Sequence, residues 1–191
     1  IIGTQIVAKG YHFPMLTLVG AVDADLGLTG GDLRAAERTH QLLYQVAGRA
    51  GRSSRPGRVI LQTYMPEHPV MNALQGGERI TFMAAEAESR RLANMPPFGR
   101  LAAIIVSARS EEVVDASAAL LSRVRPTANG ITVLGPAPAP MALLRGRYRR
   151  RLLLKTTKET NIQGVIRDWL ATAKVSKKAK VQIDIDPYSF F

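Results

Sequence analysis

The pattern of hydrophobic and polar residues in the first part of the chain predicts an α/β layer. Residues 16–23 form a nearly continuous apolar run, which is typical of a strand buried on both faces of a parallel sheet. A helix is predicted from the N-cap Asp32 to Gly51, because apolar residues recur there at helical spacing. Residues 58–64 predict a second strand. This alternation of strand, helix and strand indicates a parallel sheet covered by helices.

A second pattern follows a predicted helix at residues 80–95, which ends at Pro96 and Pro97. Beyond these prolines the segments alternate in the order β-α-β-β-α-β, a small α+β domain in which two helices cover one face of a sheet. The predicted segments are residues 101–108, 111–125, 131–134, 148–156, 162–173 and 181–185, with a Pro/Ala loop before the fourth. The expected domains are therefore residues 1–76, a connecting helix and Pro-Pro joint at 77–96, and residues 97–191.

Composition and charge narrow the possible functions. The 191 residues include no Cys, which excludes a disulfide scaffold, a thiolate nucleophile and a Cys-built zinc site, and suits the cytoplasm. No apolar run approaches the ~18 residues of a membrane span, so no membrane partner is expected. Residues 1–96 hold 10 Lys and Arg against 8 Asp and Glu, whereas residues 97–191 hold 16 against 7. This bias predicts a polyanionic partner, which by charge alone could be DNA, RNA or acidic lipid.

The first residues suggest that more chain precedes them. The sequence opens on Ile1-Ile2-Gly3-Thr4, without Met or a polar leader, and begins inside a predicted strand. We expect a part of a longer polypeptide. A start-site artefact is the alternative.

The run Gln45-Val46-Ala47-Gly48-Arg49-Ala50-Gly51-Arg52 is the sharpest motif. Arg49 and Arg52 are three residues apart at a predicted helix end, and a guanidinium fork there could neutralise a phosphoryl group in transfer. The alternative is a solvated helix C-terminus, where Arg suits the helix dipole and Gly the cap. For Asp23 and Asp25, by contrast, we expect that the side chains cap a turn or order an Arg, and we do not expect a metal site.

A second cluster of basic residues lies in the C-terminal half. In a strand, Arg147, Arg149 and Arg151 would point to one face, whereas Tyr148 and Arg150 would point to the other. The three arginines predict a row of phosphate contacts, and the Tyr148 ring could stack on an unpaired base. The alternative is a solvated edge strand that is protected by its charges. Further basic residues follow at Lys155, Lys158, Lys174, Lys177, Lys178 and Lys180.

Two motifs together resemble those of superfamily-2 helicases. The run Gly3-Thr4-Gln5 through Lys9-Gly10 to Phe13-Pro14 resembles motif V, and Gln45 to Arg52 resembles motif VI. With the Pro96-Pro97 joint, Leu134-Gly135-Pro136-Ala137-Pro138 and the terminal Asp184-Ile185-Asp186-Pro187, the whole chain is similar to the PriA family of replication-restart helicases. The resemblance implies a partial RecA-like helicase lobe 2, built on a parallel sheet, followed by the family's C-terminal domain.

The resemblance also implies roles for individual residues. Arg52 matches the arginine finger that reaches the γ-phosphate of ATP, and Arg49 matches its partner. The nucleotide site would further include Gln45, Gly48 and Gly3. The DNA contacts would be Thr4, Gln5, Lys9, Arg147, Tyr148, Arg149, Arg151 and Lys155. For Thr4 and Gln5 the alternative is helix capping, and Tyr11 departs from the His that is frequent at its position in the family.

The function implied by the resemblance is that of an ATP-dependent 3′-5′ DNA helicase in replication restart and primosome assembly. ATP and Mg²⁺ would be bound mainly by lobe 1, which is absent here, and zinc is expected only in the absent upstream region. The sequence has no G-x-x-x-x-G-K-[ST] loop, so this chain alone should not hydrolyse ATP. Expected partners are branched forks, single strands, single-stranded-DNA-binding protein and primosome components. The alternative is a non-catalytic module that binds DNA or RNA.

Overall fold

The computed structural model describes residues 2–3, 15–28, 32–51 and 56–188. The chain divides into two compact units between Glu86 and Ala87. Each unit has a hydrophobic core of its own. Of the helices in these described ranges, none is long and apolar enough to cross a bilayer.

The first unit contains a parallel pair of strands. Strands β1 (Leu18–Ala21) and β2 (Arg58–Leu61) pair in parallel, and helix α1 (Ala35–Ala47) lies between them in the sequence. The predicted parallel strand-helix-strand unit is therefore confirmed. Helix α2 (Pro69–Gly76) was not predicted, because eight residues give too few turns for a periodic pattern. His68 caps its start by accepting a hydrogen bond from the Val70 N–H.

Two details of the first unit differ from expectation. Strand β1 is not buried on both faces, since its residues alternate between exposed and half-buried, and Leu18 is 54% exposed. Asp32 is not the N-cap of α1, because that position belongs to Arg34. The Asp32 carboxylate instead accepts hydrogen bonds from the Arg34 backbone N–H at 2.9 Å and from Arg38 Nη1 at 3.2 Å. It therefore orders the turn that precedes the helix.

A histidine is buried in the first unit. The His40 ring on α1 is 5% exposed and stacks on Phe82 of helix α3 (Arg79–Leu92), with 4.5 Å between ring centroids and 6° between planes. Burial, with a smaller contribution from the charge of Arg79, lowers the pKa of His40 below its ordinary value near 6.5. The apolar core of this unit comprises Ala24, Leu43, Val70, Met71, Ala73 and Phe82.

The second unit is a four-stranded antiparallel sheet with two helices. Its strands lie in the order β4-β5-β3-β6 across the sheet. Along the chain its elements are β3 (Gly99–Ala108), α4 (Glu111–Arg123), β4 (Ile131–Leu144), β5 (Arg147–Thr157), α5 (Ile162–Ala173) and β6 (Lys180–Ile185). Alternate residues of β3, among them Ile104 and Val106, pack against both helices, and the Trp169 indole N–H donates to the Leu121 carbonyl at 3.0 Å.

The predicted Pro/Ala loop is wrong, because this segment belongs to strand β4. The strand continues through Pro136, Pro138 and Pro140 to Leu144 and pairs with β5 across two register shifts, one after Leu134 and one after Pro138. Proline has no N–H for a strand ladder, so a proline-rich run does not look like a strand. It is tolerated here because β4 lies at the edge of the sheet.

The last strand is fastened to the first strand of its sheet by Asp186. Its carboxylate accepts a hydrogen bond from the Leu101 N–H at 3.0 Å and forms an ion pair with Arg100 Nε at 2.6 Å. The Asp186 N–H donates back to the Leu101 carbonyl at 2.6 Å. Asp186 has φ 50°, a conformation that Asp tolerates better than most residues. The Asp-Ile-Asp-Pro run thus closes the sheet.

We predict that Asp186→Ala lowers the free energy of unfolding by about 1–3 kcal/mol, because it removes two acceptor contacts of a carboxylate. Urea denaturation followed by Trp169 fluorescence measures this change. Asp184→Ala is the matched control, since Asp184 lies exposed on β6 only two residues before Asp186. Equal losses in the two variants would contradict the role given to Asp186.

We also predict that the first unit loses stability in mild acid through His40. Its pKa is lowered in the folded state, so its contribution is complete above pH ~6.5 and declines as the pH falls through the folded-state pKa. His40→Gln should flatten this part of the pH profile. The measurement is an NMR titration of His40 together with denaturation between pH 5 and 8. A folded-state pKa above 6.5 would contradict the prediction.

Candidate nucleic-acid interface

The predicted row of arginines lies on strand β5, in the interior of the sheet. Strand β5 is flanked by β4 and β3, so the alternative of a solvated edge strand is wrong for this run. Arg150 lies on the helix side of the sheet. Its guanidinium contacts Glu111 Oε1 at 2.9 Å and Asp115 Oδ1 at 2.6 Å on α4, and these carboxylates raise its pKa. Arg150 therefore fastens the helix to the sheet.

Arginines of the opposite face are held by hydrogen bonds within the domain. Arg147 Nη2 donates to the Ser107 carbonyl at 2.9 Å, and Arg149 Nη1 donates to the Pro140 carbonyl at 3.0 Å. Arg151 lies in the same row, opposite Ile105 of β3. A guanidinium has five N–H donors, so these bonds orient Arg147 and Arg149 and leave donors for a ligand.

Two other predicted DNA contacts also have partners within the domain. Lys155 Nζ donates to the Ala93 carbonyl at 2.7 Å. Tyr148 is half-buried and packs against the hydrophobic core, opposite Leu143 and Ala108. The ring therefore contributes to folding, and its stacking on a base stays a prediction.

The register of the sheet brings the lysines close to the arginines. Ser107 of β3 lies opposite Arg149 on one side and opposite Lys180 on the other. Arg149 and Lys180 are therefore two strand spacings apart, or about 10 Å. Exposed Lys177 and Lys178 precede Lys180 by only two or three residues. We call this region the basic end of the sheet. Its members are Arg109, Arg145, Arg147, Arg149, Lys177, Lys178 and Lys180.

Sequence reasoning placed these arginines and lysines in one basic cluster of the C-terminal half, but it could not show that they lie side by side. They are about 30 residues apart in the chain, and helix α5 lies between them. Only the pairing of β3 with both β5 and β6 brings them together. Exposed Arg109, directly after β3, was not singled out from the sequence because it stands outside both basic runs.

The second predicted site lies at the end of α1, and it is described in part. Gln45 and Gly48 are exposed, and Arg49 is half-buried. The Gly51 N–H donates to the Leu16 carbonyl at 3.0 Å, which holds this helix end close to the start of β1. Gly3 is exposed. The predicted residues Arg52, Thr4, Gln5 and Lys9 lie outside the described residues, and so does Tyr11.

The exposed end of α1 fits a contact with bound nucleotide, since Gln45 and Gly48 are accessible there. Residues at this helix end could therefore complete an ATP site from one side. Among the residues that the structure describes, no three His, Asp or Glu side chains are grouped closely enough to hold a metal ion.

Asp25 has the structural role that its position after a strand suggested. Its buried carboxylate accepts hydrogen bonds from Thr63 Oγ1 at 2.5 Å and from the Tyr64 N–H at 2.6 Å. The bonds from Thr63 and Tyr64 lower its pKa. Asp25 thus orders the turn after β2, as the interpretation of a turn cap predicted.

Comparison with known proteins identifies the family. The model of the primosomal protein N C-terminal domain matches residues 91–188. The replication restart protein PriA of Rickettsia conorii is 47% identical over the whole chain, and those of Haemophilus influenzae and Bacillus subtilis are each 37% identical over 98% of it. The chain spans 29%, 26% and 24% of the lengths of these relatives. This chain belongs to the PriA family of replication restart proteins.

Proposed function

We propose that this chain is the C-terminal part of an ATP-dependent 3′-5′ DNA helicase that acts in replication restart and primosome assembly. The observation that carries the proposal is the basic end of the sheet, where the strand register gathers arginines and lysines in a domain matched by the family model. In this proposal the second unit binds branched DNA, and the first unit supplies motifs V and VI.

The basic end suits a phosphate backbone because it combines two kinds of cation. Arg147 and Arg149 are oriented by carbonyl groups, which reduces the conformational entropy that they lose on binding. Lys177, Lys178 and Lys180 are exposed on a surface segment and can adapt to the shape of a branch. Contacts of this kind position DNA without specifying its sequence, as a protein that acts at any stalled fork requires.

The nucleotide chemistry would be shared with the part of the protein that precedes this chain. Bound ATP with Mg²⁺ would supply the phosphoryl group that is transferred, and its charge would draw the two helicase lobes together. Arg52, with Arg49 beside it, would stabilise the charge that develops on that group, and Gln45 would orient the pair. Thr4, Gln5 and Lys9 would contact the tracked strand. Zinc would belong to the upstream region, and single-stranded-DNA-binding protein and primosome components would be partners.

One observation favours a second candidate function, a non-catalytic nucleic-acid-binding module. The basic end lies wholly within the second unit and uses none of the residues assigned to nucleotide contacts. Binding could therefore persist without any turnover of ATP. Hydrolysis by the full-length protein that depends on forked DNA separates the helicase from this module, and competition with structured RNA separates DNA from RNA.

We predict that the basic end dominates the salt dependence of DNA binding. Replacing Lys177, Lys178 and Lys180 with Ala should reduce the log-log salt slope by about 2–3 on duplex DNA, because each phosphate contact contributes about 0.9. Titrations of forked, duplex and single-stranded DNA over a range of salt measure the slope.

The matched control removes three exposed charges from the other end of the same sheet. Arg123 and Arg125 lie at the end of α4, and Lys158 follows the end of β5. Their triple Ala variant should reduce the slope by less than about 1. Equal effects of the two triple variants would indicate a general effect of net charge and not a localised binding site. An unchanged slope in the Lys177/Lys178/Lys180 variant would exclude the basic end as the DNA-binding site.

We predict that Arg52→Ala in the full-length protein lowers kcat for ATP by roughly 10³-fold or more, which is the scale of an arginine finger, with little change in DNA affinity. Arg49→Ala should have a similar or milder effect. Phosphate release with saturating forked DNA is the measurement, and exposed Arg58 on β2 provides a control Ala variant. Near-normal hydrolysis in both variants would return the pair to the role of a helix cap.

A further inference from the structure

The hairpin that joins β4 and β5 ends in a tight two-residue turn. Arg145 and Gly146 both have left-handed φ values, 49° and 69°, as expected for a type I′ turn. The pairs on either side of the turn are Leu144 with Arg147 and Leu143 with Tyr148. We call residues 141–147 the hairpin tip.

The hairpin tip exposes apolar side chains in an otherwise basic region. Met141, Leu143 and Leu144 are 52%, 58% and 37% exposed. Leu143 and Leu144 are consecutive strand residues, so their side chains project to opposite faces of the hairpin. Met141 has φ 52°, a conformation that costs free energy for a residue other than Gly, Asn or Asp. Strained residues cluster at binding and switch sites, so the exposed leucines beside Met141 are candidates for contact with a partner.

The charges around the hairpin tip favour a nucleic acid as its occupant. Arg145 is exposed in the turn itself, and Arg147 and Arg149 follow on β5. A protein partner that docks on one face would leave the leucine of the other face in water. A base step that has opened can cover both faces of a thin hairpin, while its flanking phosphates meet the arginines. Apolar side chains of this size wedge between base steps in other DNA-binding proteins.

We propose that the hairpin tip inserts Leu143 and Leu144 into an opened base step at a DNA branch, with Arg145 and Arg147 on the flanking phosphates. This inference rests on the proposed DNA-binding function and adds to it a means of recognising structure. At a branch the base pairs are already partly unstacked, so insertion costs less there than within a continuous duplex. The hairpin tip would therefore favour forks, whereas the lysines of the basic end would bind any DNA.

The test uses the full-length protein without nucleotide and a synthetic fork with 2-aminopurine at the base step next to the branch. Binding of the unchanged protein should raise 2-aminopurine fluorescence, because the base unstacks. The double variant Leu143→Ser/Leu144→Ser should lose this rise and bind the fork at least fivefold more weakly, a change of about 1 kcal/mol or more. Its affinity for unbranched duplex should change less than twofold.

Two control variants separate insertion of the leucines from other effects of the substitutions. Leu143→Met/Leu144→Met keeps apolar side chains and should keep the fluorescence rise. Leu134→Ser removes an apolar residue that is 48% exposed elsewhere on β4, and should behave like the unchanged protein. Circular dichroism establishes that each variant is folded.

The possible failures differ in what they overturn. If the Ser double variant retains both fork affinity and fluorescence rise, insertion of the leucines into the base step is overturned. A second outcome is that the unchanged protein and all of its leucine variants bind forks with a salt slope that depends on the lysines, while none changes the fluorescence. In that case only the insertion of the hairpin tip fails, and the proposed DNA-binding function stands. If the unchanged protein does not bind forks, the proposed function fails with it.

Discussion

The pairing of strand β3 on both sides is the constraint on which the second unit depends. Strand β3 is the inner strand that lies between β5 and β6. Eight of its ten residues are buried, and all of these except Ser107 are apolar or Gly. Arg100 and Ile105 are half-buried. Its alternate side chains form the floor of the helix-covered core. Because backbone pairing sets the register on both sides, Arg149 of β5 and Lys180 of β6 both lie opposite Ser107. The charged surface therefore follows from the ladder of an apolar strand.

Much of the fold could be predicted from the sequence because hydrophobic periodicity is a local property. The amphipathic helix at Ile162–Ala173 was predicted with the bounds that the structure has, and β3 and β6 differ by one or two residues. The Pro/Ala segment was missed because its strand character comes from pairing with β5 across two register shifts, which no local pattern encodes. The exposed side of β1 has a similar cause, since burial of a strand depends on its neighbours and not on its own composition.

The candidate site was predictable as a set of residue types but not as an arrangement. Alternation along β5 correctly separated Arg150 from Arg149, because side chains of a strand alternate between faces. The carbonyl partners of Arg149 and Lys155 come from β4 and from the turn after α3, and sequence spacing cannot reveal contacts between separate elements. The same holds for the meeting of the arginine and lysine runs. The apolar residues of the hairpin tip also escaped notice, because they lie in the segment that the sequence predicted to be a Pro/Ala loop.

The prolines of the edge strand have a consequence for association between copies of the domain. An unpaired strand edge can recruit a strand from another molecule, which leads to aggregation. Strand β4 occupies such an edge, and Pro136, Pro138 and Pro140 remove three N–H groups from one stretch of it. A neighbouring chain therefore finds an incomplete ladder along that stretch. Proline thus protects this stretch of the edge from pairing with a strand of another copy.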